Sequence, residues 1–285
     1  MNNNIRIKRK KIYFFIYFFL ITLIILSIIY IFSFLFSKKE AFKQSNLLNT
    51  IDIDKTLLLN SSNSNETSLN DNSLNITNQN EEKNSENNVD TERMIKVKSL
   101  KEENSDIVGW LEIPDTNINY PVLQHTDDEY YMTHNYKKEK SKNGSIFLSK
   151  DYDFSIPSSN LLIYGHNLGN GAMFQELLKY ENESFYKEHP IIRFTTVNDD
   201  SEYEIISVFK SRVYYKSETN VFRYYYFINA KNEAEYDEFV QNAKNASLYN
   251  IDATASYNEQ LITLSTCSYY VKDGRFAIVA RKIYK

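Results

Sequence analysis

Cysteine occurs once in these 285 residues, at Cys267, so no disulfide forms within the chain and no cysteine cluster is available for zinc. Histidine is nearly as scarce. His125, His134, His166 and His189 are the whole supply, and none joins a Cys or Asp group at zinc-like spacing, so neither a metal nor another cofactor is expected. Excess positive charge is missing too. The formal net charge is −4 even with a basic N-terminus counted in, so the remainder is more acidic still and a poor match for nucleic acid. Glycine is limited to six residues, yet Gly165, Gly169 and Gly171 gather around His166 and mark a turn-prone loop there.

Apolar side chains are abundant at the start. Ile12 to Phe36 is broken only by Thr22, Ser27, Ser33 and the amphipathic Tyr13, Tyr17 and Tyr30, which exceeds the roughly 20 residues needed to cross a bilayer. Arg6, Lys8, Arg9, Lys10 and Lys11 precede the run, whereas only Lys38 and Lys39 follow closely. The positive-inside rule then predicts a cytoplasmic tail over 1–11, a transmembrane signal anchor over 12–36, and export of everything beyond. A cleaved signal peptide is the alternative, although the run is longer than a signal h-region and lacks a clear small-x-small site. From about Ser45 to Asn88 the chain is mostly Asn, Ser, Asp, Glu and Thr, with no aromatic residue. Such a segment buries too little apolar surface to offset its ordering entropy, so a disordered linker is expected over 37–88. As a flexible coil it would span about 35 to 40 Å.

The remainder, 89–285, is long enough for one domain with its own core. Asp90 and Thr91 offer a helix cap, followed by Met94, Val97 and Leu100 at helical spacing. Strand-like runs then follow at 110–113, 119–124, 145–148, 160–164, 191–197, 203–214 and 222–228, with two more in a C-terminal hairpin. A mainly β fold with helical insertions is expected, closed or nearly closed into an antiparallel-rich barrel of about eight or nine strands. One insertion follows Gly171, with Met173, Phe174, Leu177 and Leu178 on a face. The other covers 232–246, where Tyr236, Phe239, Val240 and Ala243 repeat at i, i+3, i+4 and i+7, just before the cysteine strand.

The hairpin carries the chemistry. In Leu261–Cys267, strand alternation puts Thr263, Ser265 and Cys267 on one face and Ile262 and Leu264 on the other. Arg275 to Lys282 repeats the pattern, with Phe276, Ile278 and Ala280 on an apolar face, after a turn at Lys272, Asp273 and Gly274. Antiparallel pairing of Cys267 with Arg275 would bring their Cβ atoms to roughly 5 Å on one face. A guanidinium beside a thiol favours the thiolate and can donate to an oxyanion. A small buried hydrophobe with an ordinary strand-end cation is the plainer reading of the same two residues. Among the histidines, His166 ends a strand beside the glycine loop, where it is suitably exposed for proton transfer. A merely solvated or capping histidine is the competing reading.

T-L-S-T-C at 263–267 with Arg275 downstream resembles the active-site hairpin of the sortases, and I-Y-G-H-N at 163–167 resembles their histidine segment. D-I-V-G-W-L-E-I-P-D-T-N-I-N-Y-P-V-L-Q at 106–124, Y-K-K-E-K-S-K-N-G-S-I-F at 136–147 and the helix before the cysteine strand are similar to class B sortases in particular. The resemblance runs over essentially all of 89–285. It implies a sortase-type closed β-barrel and an extracellular, membrane-bound cysteine transpeptidase on a Gram-positive-type cell. Its partners would be C-terminal sorting-signal peptides, often N-P-x-T-N/G, and an amine of the peptidoglycan precursor. By position, Cys267 would be the nucleophile, His166 the acid/base and Arg275 the oxyanion and substrate-positioning cation, with Ser265 and Tyr164 lining the groove. Some members carry an acid two residues after the cysteine; here Tyr269 stands there, and Asp273 reads as a turn residue. A pilin-polymerising sortase using a lysine amine, a hydrolytic thiol protease and a non-catalytic membrane-tethered binding module remain the alternatives.

Overall fold

A computed structural model describes residues 2–45, 47, 81–156 and 158–284 of the chain, which divides into two compact units, Met1–Glu40 and Ala41–Lys285. The first unit is helical along its described length, as part of α1 (Asn2–Ser45). From Phe15 onward its large apolar side chains are exposed, Phe32 at 71 %, and the helix is long and apolar enough to span a bilayer. Most of the expected linker, residues 48–80, lies outside the described residues. At its two ends the backbone is helical, in α1 through Ser45 and in α2 (Glu81–Glu103) from Glu81. Asp90 and Thr91 therefore sit inside α2 rather than at its cap. Glu81, Glu82 and Lys83 are good helix formers, so the helix starts upstream of the capping residue types.

In the second unit eight strands close into a barrel. They are β1 (Ile107–Glu112), β2 (Asn119–Leu123), β3 (Ile146–Leu148), β4 (Asn160–Tyr164), β5 (Ile191–Thr195), β6 (Asp200–Arg212), β7 (Leu261–Cys267) and β8 (Gly274–Lys282). Their order around the barrel is β1-β2-β3-β4-β7-β8-β6-β5, closed by antiparallel β1 and β5. All the expected runs but 222–228 fall on these strands, with ends shifted by a few residues. Pairing is mostly antiparallel, with parallel contacts at β2–β3 and β4–β7. Alternation then sorts the side chains. On β1, Leu111 joins the barrel core while Trp110 points the other way into a second cluster with Val97 and Leu100 of α2, and a register shift between Ile107 and Gly109 brings Ile107 to that same side.

The run at 222–228 is not a strand. Every edge of a closed barrel is already paired, so this aromatic segment finds no ladder to join and crosses the outside of the sheet instead, with a short 3-10 turn at Tyr224–Tyr226. Phe222 packs on Phe209 of β6 and on Phe239 of α4 (Glu233–Ala246), at ring separations of 5.7 and 5.5 Å. The outer faces of β7 and β8 are thereby roofed, which explains why both faces of these strands are buried. The insertion after Gly171 is 3-10 over Phe174–Glu181, followed by the short α3 (Glu183–Glu188). Its fully buried residues Phe174, Leu177 and Tyr180 recur every third position, which fits 3.0 residues per turn better than 3.6. Helix α4 follows its predicted spacing, with Tyr236, Phe239, Val240 and Ala243 buried and Asn232 capping Glu235 N–H.

Candidate active site

Strand register builds the site row by row. Phe147 of β3 pairs with Tyr164 of β4, Tyr164 with Ser265 of β7, Ser265 with Ala277 of β8, and Ala277 with Phe209 of β6. Paired residues share a face. That face is the outer one, because the Ser265 hydroxyl lies 2.7 Å from the Tyr224 hydroxyl of the crossing segment. Two residues further along each chain lies the next row. It contains His166, just past the end of β4, then Cys267, then Arg275, which pairs with both Cys267 and Ser211. The sulfur therefore leaves the sheet opposite Leu264 and Phe276, away from the barrel interior. Cys267, His166 and Arg275 are all half-buried.

A cleft of about 210 Å³ opens over these two rows, and its wall includes all five residues singled out in the sequence: Cys267, His166, Arg275, Ser265 and Tyr164. Ser265 is 1 % exposed and forms floor rather than rim. Burial raises the Tyr164 and Tyr224 hydroxyls well above their ordinary range, so both stay neutral hydrogen-bonding groups. Gly165 and Thr266 also line the cleft, and Asp128, Met132 and Phe147 join the wall without having been anticipated. Asp128 is an acidic side chain in this lining. Burial pushes its carboxyl up, partly offset by the Lys150 N–H donating to Oδ1 at 2.7 Å.

His166 is held by a backbone atom. Its Nε2 lies 2.7 Å from the carbonyl oxygen of Met132. A carbonyl only accepts, so Nε2 must carry the proton and Nδ1 is left as the basic nitrogen. Three constraints fix that carbonyl. Tyr131, next to Met132, donates to Asp106 Oδ2 at 2.8 Å and accepts from Asn104 Nδ2 at 3.2 Å. Gly144 supports the same loop at φ 59°, where an added Cβ would come within 2.7 Å of the Met132 oxygen and 3.0 Å of His166 Cδ2. Gly165 meets a similar limit, since a Cβ there would lie 2.4 Å from Ile146. The remaining histidines are occupied elsewhere. His125 and His134 stack on Tyr130, and His189 donates from Nδ1 to the Pro114 carbonyl at 3.1 Å.

Asp106 offers a test of this support. Its own burial raises the carboxyl, but hydrogen bonds from Tyr131 and Lys138, with the Lys138 charge, outweigh it and leave it below 3.8. A carboxyl depressed in the folded state stabilises the fold above its unfolded pKa and loses that contribution as pH falls through the folded value. Asp106→Asn is therefore expected to lower Tm at neutral pH, with the gap to wild type closing from about pH 4 downward. Thermal unfolding across pH reads this, and a gap independent of pH would remove the charge from the account.

Arg275 donates from Nη1 to its own turn, at 3.0 Å to the Gly274 carbonyl and 3.4 Å to that of Asp273. Its other N–H groups have no hydrogen-bond partner among the described residues and can donate to a ligand oxygen. The turn itself needs glycine, because a Cβ on Gly274 would lie 2.2 Å from the Ser268 carbonyl oxygen. Asp273 occupies the left-handed region at φ 56°, as a turn residue. No group of three metal-ligating side chains occurs among the described residues.

A family model, the sortase domain, matches residues 111–283. Sortase B of Listeria monocytogenes is 36 % identical over 203 residues, covering 70 % of this chain and 78 % of that protein. Among solved structures, sortase B from B. anthracis in complex with AAEK1 has a TM-score of 0.59 at 32 % identity, over 67 % of this chain and 85 % of that one. The Staphylococcus aureus sortase B–substrate complex has a TM-score of 0.60 at 27 % identity, over 72 % and 99 % respectively. The closed barrel and the matched span agree, and the chain belongs to the class B branch of the sortase family, as a cysteine transpeptidase of the cell-wall sorting kind.

Proposed function

We propose that this chain cleaves a C-terminal sorting signal of the N-P-x-T-N/G kind in exported proteins and joins the new carboxyl end to a peptidoglycan amine. The row His166–Cys267–Arg275 at the mouth of one cleft carries the reading. The Cys267 thiolate adds to the carbonyl carbon after the signal's Thr, and the Arg275 guanidinium donates to the oxyanion that forms. His166, protonated at Nδ1 in that step, gives its proton to the departing amine as the C–N bond breaks. A thioester on Cys267 remains. The acceptor amine then adds to it, Nδ1 takes the amine proton, and thiolate leaves as the new amide forms. The thioester conserves the acyl group's reactivity, so the outcome depends on whether the cleft delivers amine or water.

The exposed apolar side chains of α1 and the cations preceding Ile12 support a single-pass anchor with its N-terminus in the cytoplasm and the barrel outside. Full-length protein in detergent, given a signal peptide with and without a cell-wall-type amine, is expected to yield an amide product that grows with amine concentration. Mass spectrometry of the products decides the reaction class. Free acid alone would reassign the chain to hydrolysis, and linkage to a protein lysine alone would make it a polymerase.

A further inference from the structure

We propose that Asn167 and Tyr269 are positioning residues that lock His166 and Cys267 into one register; the inference rests on the reading of those two as the reacting pair. The parallel ladder of β4 and β7 ends at Tyr164 and Ser265, two residues short of His166 and Cys267. Only one backbone bond continues it, from Gly165 N–H to the Ser265 carbonyl at 3.2 Å. Side chains then take over the zipper. Thr266 Oγ1 donates to the Gly165 carbonyl at 2.7 Å, and Asn167 Nδ2 donates to the Cys267 carbonyl at 3.0 Å. The Tyr269 hydroxyl returns across the gap to the Asn167 carbonyl, also at 3.0 Å. His166 and Cys267 are thus bracketed on both sides, with the residue after the histidine bonded to the cysteine's own peptide group.

The clasp has a reason to exist. Beyond each strand end the backbone finds other partners, Phe174 N–H on the His166 carbonyl at 2.9 Å and Ser268 N–H on the Gly274 carbonyl at 3.0 Å, so it supplies no further pairing between the two segments. Without cross-links, the separation of imidazole and sulfur would follow the relative motion of the histidine loop and the end of the β7–β8 hairpin, and near-attack geometry is lost over displacements of about 1 Å. Asn167 is 6 % exposed and suited to a fixed role. Tyr269, by contrast, is 80 % exposed, so its ring contributes little burial and its ordered contact is the hydroxyl bond. The fold therefore places a neutral donor two residues after the cysteine. It acts on the histidine segment's backbone, while the Met132 carbonyl orients the imidazole.

Tyr269→Phe removes that hydroxyl and leaves the packing intact. Its kcat for peptide cleavage is expected to fall about three- to tenfold, the loss of one neutral hydrogen bond, with KM within about twofold. Asn167→Asp, which replaces the donor by a carboxylate facing a carbonyl, is expected to lower kcat further. The double variant should be no worse than Asn167→Asp alone, because the two act in one clasp. Thermal unfolding of each full-length variant separates this from lost folding. A kcat for Tyr269→Phe equal to wild type, or a loss of activity matched by the loss of folded protein, overturns the proposal. If Cys267→Ala is inactive while Tyr269→Phe is unaffected, only the clasp fails; an active Cys267→Ala removes the reading beneath it.

Discussion

Cys267→Ala is expected to abolish turnover of a sorting peptide, by roughly 10⁴-fold or more, because no other thiol exists in the chain to carry the acyl group. The substitution should be nearly silent for folding. The sulfur is half-buried at a strand end and faces the cleft, so truncation opens no closed cavity in the barrel core. Wild type incubated with peptide in the absence of amine should gain the mass of the acyl fragment, and the variant should not. Retained cleavage by a folded Cys267→Ala protein would end the covalent account. It would also leave the row of His166 and Arg275 without a task.

Arg275→Ala is expected to cost about 10²- to 10³-fold in kcat, the range for deleting an oxyanion donor, or about 3 to 4 kcal/mol. The guanidinium has part of its donor set tied to the Gly274 and Asp273 carbonyls, so it is held in place before substrate arrives. Arg275→Lys keeps the charge and loses the fork, which predicts an intermediate rate. The division between kcat and KM is the informative readout. A rise in KM with kcat unchanged would assign Arg275 to peptide binding and remove it from the transition state.

The hairpin was readable because it is local. Period-two alternation and a Lys-Asp-Gly turn fix which side chains share a face, and the observed register pairs Cys267 with Arg275. The face buried by α4 was readable for the same reason, at a period of 3.6. The 222–228 segment misled because aromatic runs favour strands only where an edge is open. Residues 173–178 were readable as helical, but their 3-10 winding was not, because both short helix types bury much the same apolar set. Asp128 and Phe147 carried no signal, since their relevance depends on which strands meet. The Met132 carbonyl is invisible in principle, because every residue has one.

Composition and pattern alone determined that a lone thiol faces a guanidinium across a turn, behind a long apolar N-terminal run. Tertiary structure decided what stands beside them. The parallel union of β4 and β7 joins Asn167 to Cys267 across 100 residues, barrel closure sends 222–228 over the outer face so that Tyr224 meets Ser265, and Asp128 and Met132 come from a distant loop to wall the cleft. The physical reason is range. Alternation acts between neighbours in sequence, whereas non-local pairing is chosen by the whole core at once, so the thiol's cation was legible and its histidine's place was not.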